Sequence, residues 1–98
     1  MQARVTKFSV DPSRIDDANE YYQSKVLPQA RELAGCRGGV ALVDRASGQI
    51  FSFTLWDDEE AMRASEEAGN QLRGQAASDL GFSAPLVERY EVGVLEID

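Results

Sequence analysis

The aromatic side chains are the residues whose chemistry could serve a ligand. Trp56 is the only tryptophan, and its indole could stack on a planar aromatic compound or donate a hydrogen bond to it. Tyr22 lies on the apolar stripe of a predicted helix and could direct its hydroxyl into a pocket, whereas Tyr21 is predicted at the rim. The alternative for all three is packing in a core or an interface, which is the commoner role of large aromatic side chains.

The residues that are missing restrict the chemistry further. The chain has no histidine, which excludes Ser–His and Cys–His nucleophilic pairs and histidine metal sites within it. Proton transfer would need a carboxylate, a tyrosine, a lysine, the cysteine or the substrate itself. Cys36 is the only cysteine, so an internal disulfide is impossible and a cytoplasmic location is predicted. We therefore assign no catalytic base, and we predict no metal and no other cofactor.

Two short motifs could suggest ion binding. The acidic run at residues 57–60 contains possible Mg²⁺ ligands, but consecutive residues on a helix do not converge on one point, so a solvated helix cap is predicted instead. Arg37 beside Gly38 and Gly39 resembles an anion cradle. No phosphate-loop spacing follows it, so a β-bulge or a close strand contact is the better interpretation.

The overall charge argues against several classes of partner. Seventeen Asp and Glu residues against ten Lys and Arg give a formal charge of -7. Such a surface repels nucleic acids and anionic membranes, and no basic stripe offsets it. No apolar run approaches the roughly 20 residues that span a bilayer, and residues 1–8 lack the apolar block of a signal peptide.

Periodicity predicts a first strand and a first helix. Residues 3–10 alternate as in a strand. Asp11 and Pro12 then look like a helix start, and apolar residues at spacings of three and four extend the helix over 12–34. Pro28 should kink or interrupt it near residues 25–27, and Gly35 is a plausible stop.

The second half of the chain predicts a hairpin, a helix and a last strand. The continuously apolar residues 40–43 suggest a strand over 38–45 that is covered on both faces. A turn at 46–48 joins it to a strand over 49–56 in an antiparallel hairpin. Asp57 and Glu60 have capping-box spacing for a second helix, in which Gly69 and Gly74 make a break possible. Gly81 should end that helix, and a strand with residues 90, 92 and 94 on one face follows Pro85.

The predicted elements give an α+β domain with the order strand, helix, strand, strand, helix, strand. Two helices can cover only one face of a four-stranded sheet, yet apolar residues occur on both faces of the predicted strands. A second copy of the chain is the simplest cover, so a homodimer is predicted.

The motifs ARVTKF at 3–8, GCRGG at 35–39, SFTLW at 52–56 and ERYEV at 88–92 resemble the antibiotic-biosynthesis-monooxygenase family. The resemblance covers essentially the whole chain, residues 1–98, as a single domain. It implies a ferredoxin-like βαββαβ fold with an antiparallel four-stranded sheet, of which two copies form a dimeric α/β barrel. Each subunit would hold a pocket between its sheet and its helices.

The resemblance also implies candidate chemistry. Some members oxidise polycyclic phenols to quinones with O₂ and neither metal nor flavin, others degrade haem, and many have no known activity. The haem degraders use an Asn, a Trp and a His at positions that here hold Thr6, Ser65 and Gln75, which disfavours that role. Thr6 and Phe8 lie on the strand where members place ligand contacts, although sheet packing explains them equally well.

These observations lead to two hypotheses. In the first, the chain is a cofactor-independent monooxygenase or related enzyme acting on a small aromatic or quinol-like compound, with Trp56, Tyr22, Thr6 and Phe8 around the pocket. In the second, it is a non-enzymatic small-ligand-binding or structural dimer of the same fold, because a fold does not determine a function. A polar group buried in a real cavity favours the first, and a tightly filled interior favours the second.

Overall fold

The computed structural model describes residues 1–83 and 85–98. Four strands form one antiparallel sheet in the order β2-β3-β1-β4. The strands are β1 Gln2–Ser9, β2 Cys36–Val43, β3 Gln49–Trp56 and β4 Leu86–Glu91. Between β1 and β2 lie a 3₁₀ turn Pro12–Arg14, helix α1 Ile15–Tyr21, a π-helical turn Tyr22–Val26 and helix α2 Leu27–Arg31. Helices α3 Glu59–Ala64 and α4 Glu66–Leu80 connect β3 to β4. The predicted α+β, ferredoxin-like βαββαβ fold is confirmed.

The interruption predicted at Pro28 is the π-helical turn. The N–H of Leu27 donates to the carbonyl of Tyr22, five residues back, instead of to one four residues back. Proline has no N–H of its own to donate, so the hydrogen-bond ladder is already incomplete at this point. The predicted cap at Asp11 is also present, because its carboxylate accepts from the Ser13 N–H at 2.9 Å.

The start of the second helix differs from the prediction by one residue. Asp58, not Asp57, is the N-cap of α3, and its side chain accepts from the Ala61 N–H at 2.8 Å. Asp57 is held elsewhere, because its N–H donates to the Gly35 carbonyl and its carboxylate pairs with Arg37 at 2.9 Å. The capping-box assignment to Asp57 and Glu60 is therefore wrong.

The break in the second helical region comes at Ser65, where α3 ends and α4 begins. Gly69 and Gly74 instead lie within α4, and Gly81 ends it with a left-handed backbone at φ 74°. The intrinsic cost of glycine in a helix is about 1 kcal/mol, which tertiary contacts at Gly69 can offset. The last strand is shorter than predicted, since β4 ends at Glu91 and leaves Val94 outside the sheet.

The two faces of the sheet have different surroundings. The helix-facing side of the sheet and the helices together enclose the buried core of Val10, Ile15, Ala18, Ile50 and Leu80. The opposite face, here called the open face, carries cross-strand pairs such as Val40 with Phe53 and Leu42 with Phe51.

The edge strand β2 is not covered on both faces within one chain, because Val40 and Leu42 are 43% and 52% exposed. The helices lie on the other side of the sheet. The prediction of double cover therefore fails for the single chain. The entry to β2 does contain the predicted bulge, as a register shift between Cys36 and Gly38.

Candidate functional site

A cavity of about 80 Å³ lies between the helix-facing side of the sheet and the helices. All four residues predicted around a pocket line it, namely Thr6, Phe8, Tyr22 and Trp56. The cavity is well below the ~300–1,000 Å³ of drug-sized pockets. In this conformation it can hold a small fragment such as one aromatic ring, and a larger ligand requires the helices to move.

A wider groove of about 480 Å³ lies beside the cavity. The two spaces share the lining residues Tyr21, Val26, Leu33 and Leu72. They therefore lie next to each other, between α4 and the helical elements at 12–31, here called the first helical region. Polar side chains such as Lys25 also line the groove. The more polar groove therefore adjoins the inner cavity.

Trp56 is 1% exposed at the end of β3. Its indole N–H donates to the Thr54 hydroxyl at 3.0 Å, so the donor that could have met a ligand is already engaged. The guanidinium carbon of Arg4 lies over the indole, 5.4 Å from the ring centroid. The contribution of Trp56 to ligand binding would therefore come from its ring surface.

The hydroxyl of Tyr22 is also engaged, because it donates to the Phe53 carbonyl at 2.7 Å. Gly39 makes this contact possible. A Cβ on Gly39 would collide with the Tyr22 hydroxyl and would lie 2.5 Å from the Phe53 oxygen. Burial raises the pKa of Tyr22 well above its usual range, so its hydroxyl keeps its proton at neutral pH.

Tyr21 is the second tyrosine of the cavity. Its hydroxyl donates to the Asp79 carboxylate at 2.7 Å, and burial together with this carboxylate raises its pKa to about 12. Like Tyr22, it is therefore a protonated donor near neutral pH and not a general base. Its place in both the cavity and the groove agrees with the predicted rim position.

Phe8 reaches the cavity from β1 and stacks on Phe82. The two ring centroids are 4.2 Å apart with an interplanar angle of 25°. Phe82 follows the end of α4 and also lines the cavity. The pair forms an apolar wall, with one face of the Phe8 ring already occupied.

Arg4 is the residue that sequence reasoning missed. It shares the helix-facing side of β1 with Thr6 and Phe8 and is only 4% exposed. Its Nη2 donates to the Met62 carbonyl at 2.8 Å, to the Ser65 hydroxyl at 2.7 Å and to Glu66 at 3.0 Å. The signal was present in the strand alternation, because a charged residue in the inward register of a half-buried strand requires partners.

Glu66 connects two arginines. Arg89 on β4 donates to both of its carboxylate oxygens at 2.7 and 2.6 Å, and Arg4 approaches from inside. The hydrogen bonds from Arg89, and then those from Arg4, hold the pKa of Glu66 at about 2, below its ordinary value of 4.5. The carboxylate is therefore ionised throughout the physiological range.

Arg73 on α4 also lines the cavity. Arg4 and Arg73, with Glu66 and Arg89 next to them, are here called the charged end of the cavity. Burial lowers the pKa of Arg73, and the neighbouring Arg4 guanidinium lowers it further. A Cβ placed on Gly69 would lie 2.9 Å from Arg4 Nη1 and 3.1 Å from Arg73 Nη1. The two guanidinium groups are therefore neighbours, and the missing side chain of Gly69 makes room for both.

Solved structures with this architecture come from several bacteria. A Streptomyces coelicolor monooxygenase in complex with nanaomycin D matches with a TM-score of 0.75 and 19% identity, over 99% of this chain and 92% of that one. A Deinococcus radiodurans protein, provisionally assigned as an antibiotic biosynthesis monooxygenase, matches with a TM-score of 0.70 and 19% identity, over 100% and 99% of the two chains.

The chain has the fold of the antibiotic biosynthesis monooxygenases. This confirms at the level of the fold the resemblance that the sequence motifs indicated. No protein-family model matches the chain.

Relatives of known sequence match this chain over only part of their own length. The uncharacterised protein Rv2558 of Mycobacterium tuberculosis is 35% identical over 96 residues, which are 98% of this chain and 40% of the relative. A second uncharacterised protein of that organism, Rv2557, is 32% identical over 98% of this chain and 42% of its own length. The chain thus spans about two fifths of these relatives.

The three positions that haem degraders use have other roles here. Thr6 lines the cavity. Ser65 is 3% exposed, accepts from Arg4 and donates to the Met62 carbonyl at 2.7 Å. Gln75 donates to Asp79 at 3.1 Å on the surface of α4.

Within residues 1–83 and 85–98, no three His, Cys, Asp or Glu side chains lie close enough together to hold a metal ion. That the protein needs no metal stays a prediction. None of the helices in the same ranges combines the length and the apolar character needed to cross a membrane.

Proposed function

We propose that this chain is a cofactor-independent monooxygenase or related enzyme that acts on a small aromatic or quinol-like compound. The observation that carries the proposal is the cavity, which combines aromatic walls from Phe8 and Trp56 with two guanidinium groups from Arg4 and Arg73. The nanaomycin D complex of the Streptomyces monooxygenase, which has the same fold, supports a small-molecule ligand for this chain. The identity of 19% is too low to transfer that ligand itself.

The chemistry proposed is oxidation of a phenol to a quinone by O₂. The electron-rich substrate anion supplies electrons to O₂; one oxygen atom enters the ring as the second carbonyl and the other leaves as water. The protein would bind and orient the ring and keep bulk water away. Trp56, Tyr22, Thr6 and Phe8 would surround the substrate, while the Tyr21 and Tyr22 hydroxyls would stay protonated and bonded to Asp79 and to the Phe53 carbonyl.

Oxygen-dependent turnover tests this proposal. A panel of small quinols and phenols is incubated with the protein in air and under nitrogen, and substrate loss and O₂ uptake are followed. Because quinols also autoxidise, the rate must exceed that without protein. The enzyme proposal predicts saturable, protein-dependent O₂ uptake, and it fails if no compound in the panel is consumed faster with protein than without it.

A matched pair of variants locates the activity. Ala76 lines the cavity, so Ala76→Leu should fill it and reduce turnover. Ala64 is exposed at the end of α3, so Ala64→Leu adds the same three heavy atoms outside the cavity and should leave turnover unchanged.

The alternative is a non-enzymatic small-ligand-binding or structural dimer. The small volume of the cavity and the engaged donors of Trp56 and Tyr22 favour this alternative. Saturable binding without O₂ uptake would identify a binding protein. Absence of both would leave the structural dimer.

We also propose that two copies pair through the open face of the sheet. Val40 and Leu42 on β2 and Leu86 and Tyr90 on β4, at the two edges of the sheet, are 43–59% exposed there, and exposed apolar side chains of this kind favour an interface. Pairing across this face would form the dimeric α/β barrel that the fold resemblance implies. A cytoplasmic location remains a prediction from the single cysteine.

A further inference from the structure

The charged end of the cavity carries more positive than negative charge. Arg4, Arg73 and Arg89 lie together with the one carboxylate of Glu66, and these are the charged groups that act on Arg73. Glu66 is already shared between Arg4 and Arg89. Of these four groups, Arg4 and Arg73 line the cavity, whereas the Arg89 side chain is 44% exposed. Two guanidinium groups in the lining of a cavity, in a protein of formal charge -7, point to an anionic partner.

Arg4 has hydrogen-bonding capacity that the described residues do not use. Its side chain is 4% exposed, and its Nε is buried without a partner in the described part of the chain. A buried unpaired donor is costly, more so on a charged group. The side chain borders the cavity, so an acceptor bound there could pair with the guanidinium.

Among the described residues, the cavity lining contains no group that could remove a proton from a bound phenol at neutral pH. Its titratable side chains are Arg4, Arg73, Tyr21 and Tyr22. Both tyrosine hydroxyls stay protonated and already donate, to Asp79 and to the Phe53 carbonyl. An acidic compound must therefore enter ionised or lose its proton to bulk water.

We propose that the cavity holds its aromatic ligand as an anion, with the phenolate or carboxylate oxygen between the guanidinium groups of Arg4 and Arg73 and the ring against Trp56 and Phe8. This inference rests on the proposed function, because it assigns the ionised form of the substrate to the same cavity. The only bond that breaks is the O–H bond of the acid: its proton leaves to water, and the two guanidinium groups stabilise the negative charge that remains on the oxygen.

Ionisation of 4-nitrophenol provides a direct test, because its absorption spectrum distinguishes the phenol from the phenolate. The bound compound is titrated with pH in the presence of saturating protein. The expected bound pKa is at least one unit below that of the free compound, which corresponds to about tenfold tighter binding of the phenolate. A bound pKa equal to or above the free value overturns the proposal.

Benzoate and benzamide form a second, independent pair of probes. They have nearly the same shape and differ in charge, and they show whether a carboxylate is accepted as well as a phenolate. Benzoate should bind at least about tenfold more tightly than benzamide and should shift the Arg4 Nε–H signal in a proton–nitrogen correlation spectrum. Equal affinity, or no saturable binding of either anion, overturns the proposal.

The Arg73→Gln variant tests whether the charged end of the cavity causes the nitrophenol pKa shift and the preference for benzoate. Arg73 lies partly exposed on α4, so this variant should fold. Arg4 is a poorer choice, because it is buried and its loss would leave its hydrogen-bond partners unpaired. Arg73→Gln should abolish most of the nitrophenol pKa shift and of the preference for benzoate. Arg63→Gln removes the same charge from a side chain 75% exposed on α3 and should change neither; an equal effect of both variants contradicts the site.

The anion site and the proposed enzyme activity can fail separately. If the preference for anions depends on Arg73 but no quinol is consumed with O₂, the anion site is supported and the oxygenase proposal is refuted. If quinols are turned over but anions are not preferred, the oxygenase proposal is supported and the anion site is refuted.

Discussion

The guanidinium group of Arg4 lies over the indole of Trp56, 5.4 Å from the ring centroid. The two residues are neighbours because Gln2 pairs with Trp56 across β1 and β3, which places Arg4 diagonally two positions along on the neighbouring strand. The aromatic wall and the charged end of the cavity therefore meet at this contact. A cation above an indole also gains a favourable electrostatic interaction.

Trp56 fluorescence should report on ligand binding. It is the only tryptophan, and a planar aromatic compound entering the cavity should quench its emission with saturation. The Ala76→Leu variant, with its filled cavity, should show weaker quenching, and Ala64→Leu should behave as wild type. Lack of quenching across a broad panel of phenols and quinols would leave Trp56 as a core residue.

Substitutions of Trp56 should separate packing from binding. Trp56→Ala should lower the free energy of unfolding by about 3–5 kcal/mol, because it leaves a cavity in place of a side chain that is 1% exposed. Trp56→Phe keeps much of the apolar volume and should cost less, about 1–2 kcal/mol. Urea unfolding followed by circular dichroism measures both without relying on tryptophan emission.

Gly39→Ala should destabilise the fold by about 1–3 kcal/mol, because the added methyl group overpacks the contact between Tyr22 and Phe53. Gly74→Ala is the matched control, since a Cβ there meets nothing within 4 Å. Its helical position predicts a gain of about 0.5–1 kcal/mol. Urea midpoints of the two variants should shift in opposite directions, and equal shifts would contradict the close approach at Gly39.

Glu66 should make stability dependent on acid pH. Its pKa is about 2 in the folded chain against an ordinary value of 4.5, so the folded state binds this proton more weakly than the unfolded state. The stabilisation is complete above about pH 4.5 and is lost as pH falls toward about 2. Glu66→Gln should therefore flatten the fall in stability over this window.

At neutral pH the same variant should cost about 1–2 kcal/mol, a charged hydrogen-bond value reduced for a carboxylate that is 28% exposed. Urea unfolding at several pH values gives both quantities. Glu67→Gln, on an exposed neighbour, serves as the control for removal of one carboxylate. If stability falls with decreasing pH as steeply in Glu66→Gln as in wild type, the assignment of this pH dependence to Glu66 is contradicted.

The dimer should dissociate when charge is placed on the open face. Light scattering of the wild type should give about twice the chain mass of 10.8 kDa, and salt should not split an apolar interface. Leu42→Glu should give a folded monomer, because Leu42 is 52% exposed in the single chain. Gln23→Glu, exposed on the first helical region, should remain dimeric. A monomeric wild type across dilution would refute the pairing.

The local patterns in the sequence were sufficient for the order of the elements. Strand alternation, the cap at Asp11 and the turn before Gln49 depend on near neighbours in the chain, so they could be read before the fold was known. The same locality explains the errors. Asp57 has the spacing of a helix cap, but it bonds instead to Gly35 and Arg37, some 20 positions away, and Asp58 caps the helix.

The four aromatic and polar residues expected around a pocket do line one cavity, because strand register and helix spacing determine which side a residue faces. Their part in binding remains a prediction. What the sequence could not provide is how their donors are used. Trp56 donates to Thr54 and Tyr22 to the Phe53 carbonyl, and the second of these contacts joins positions 31 apart.

The sequence by itself determined the fold class, the absence of histidine chemistry and the candidate aromatic residues, since these follow from composition and short-range spacing. Only the tertiary structure brought Arg4, Arg73 and Glu66 together. Arg4 contacts residues on α3 and α4 that are 58 to 62 positions away, and such pairings depend on how the helices pack on the sheet. The strand alternation places Arg4 in the inward register, but only the packing of the helices on the sheet decides which groups it contacts.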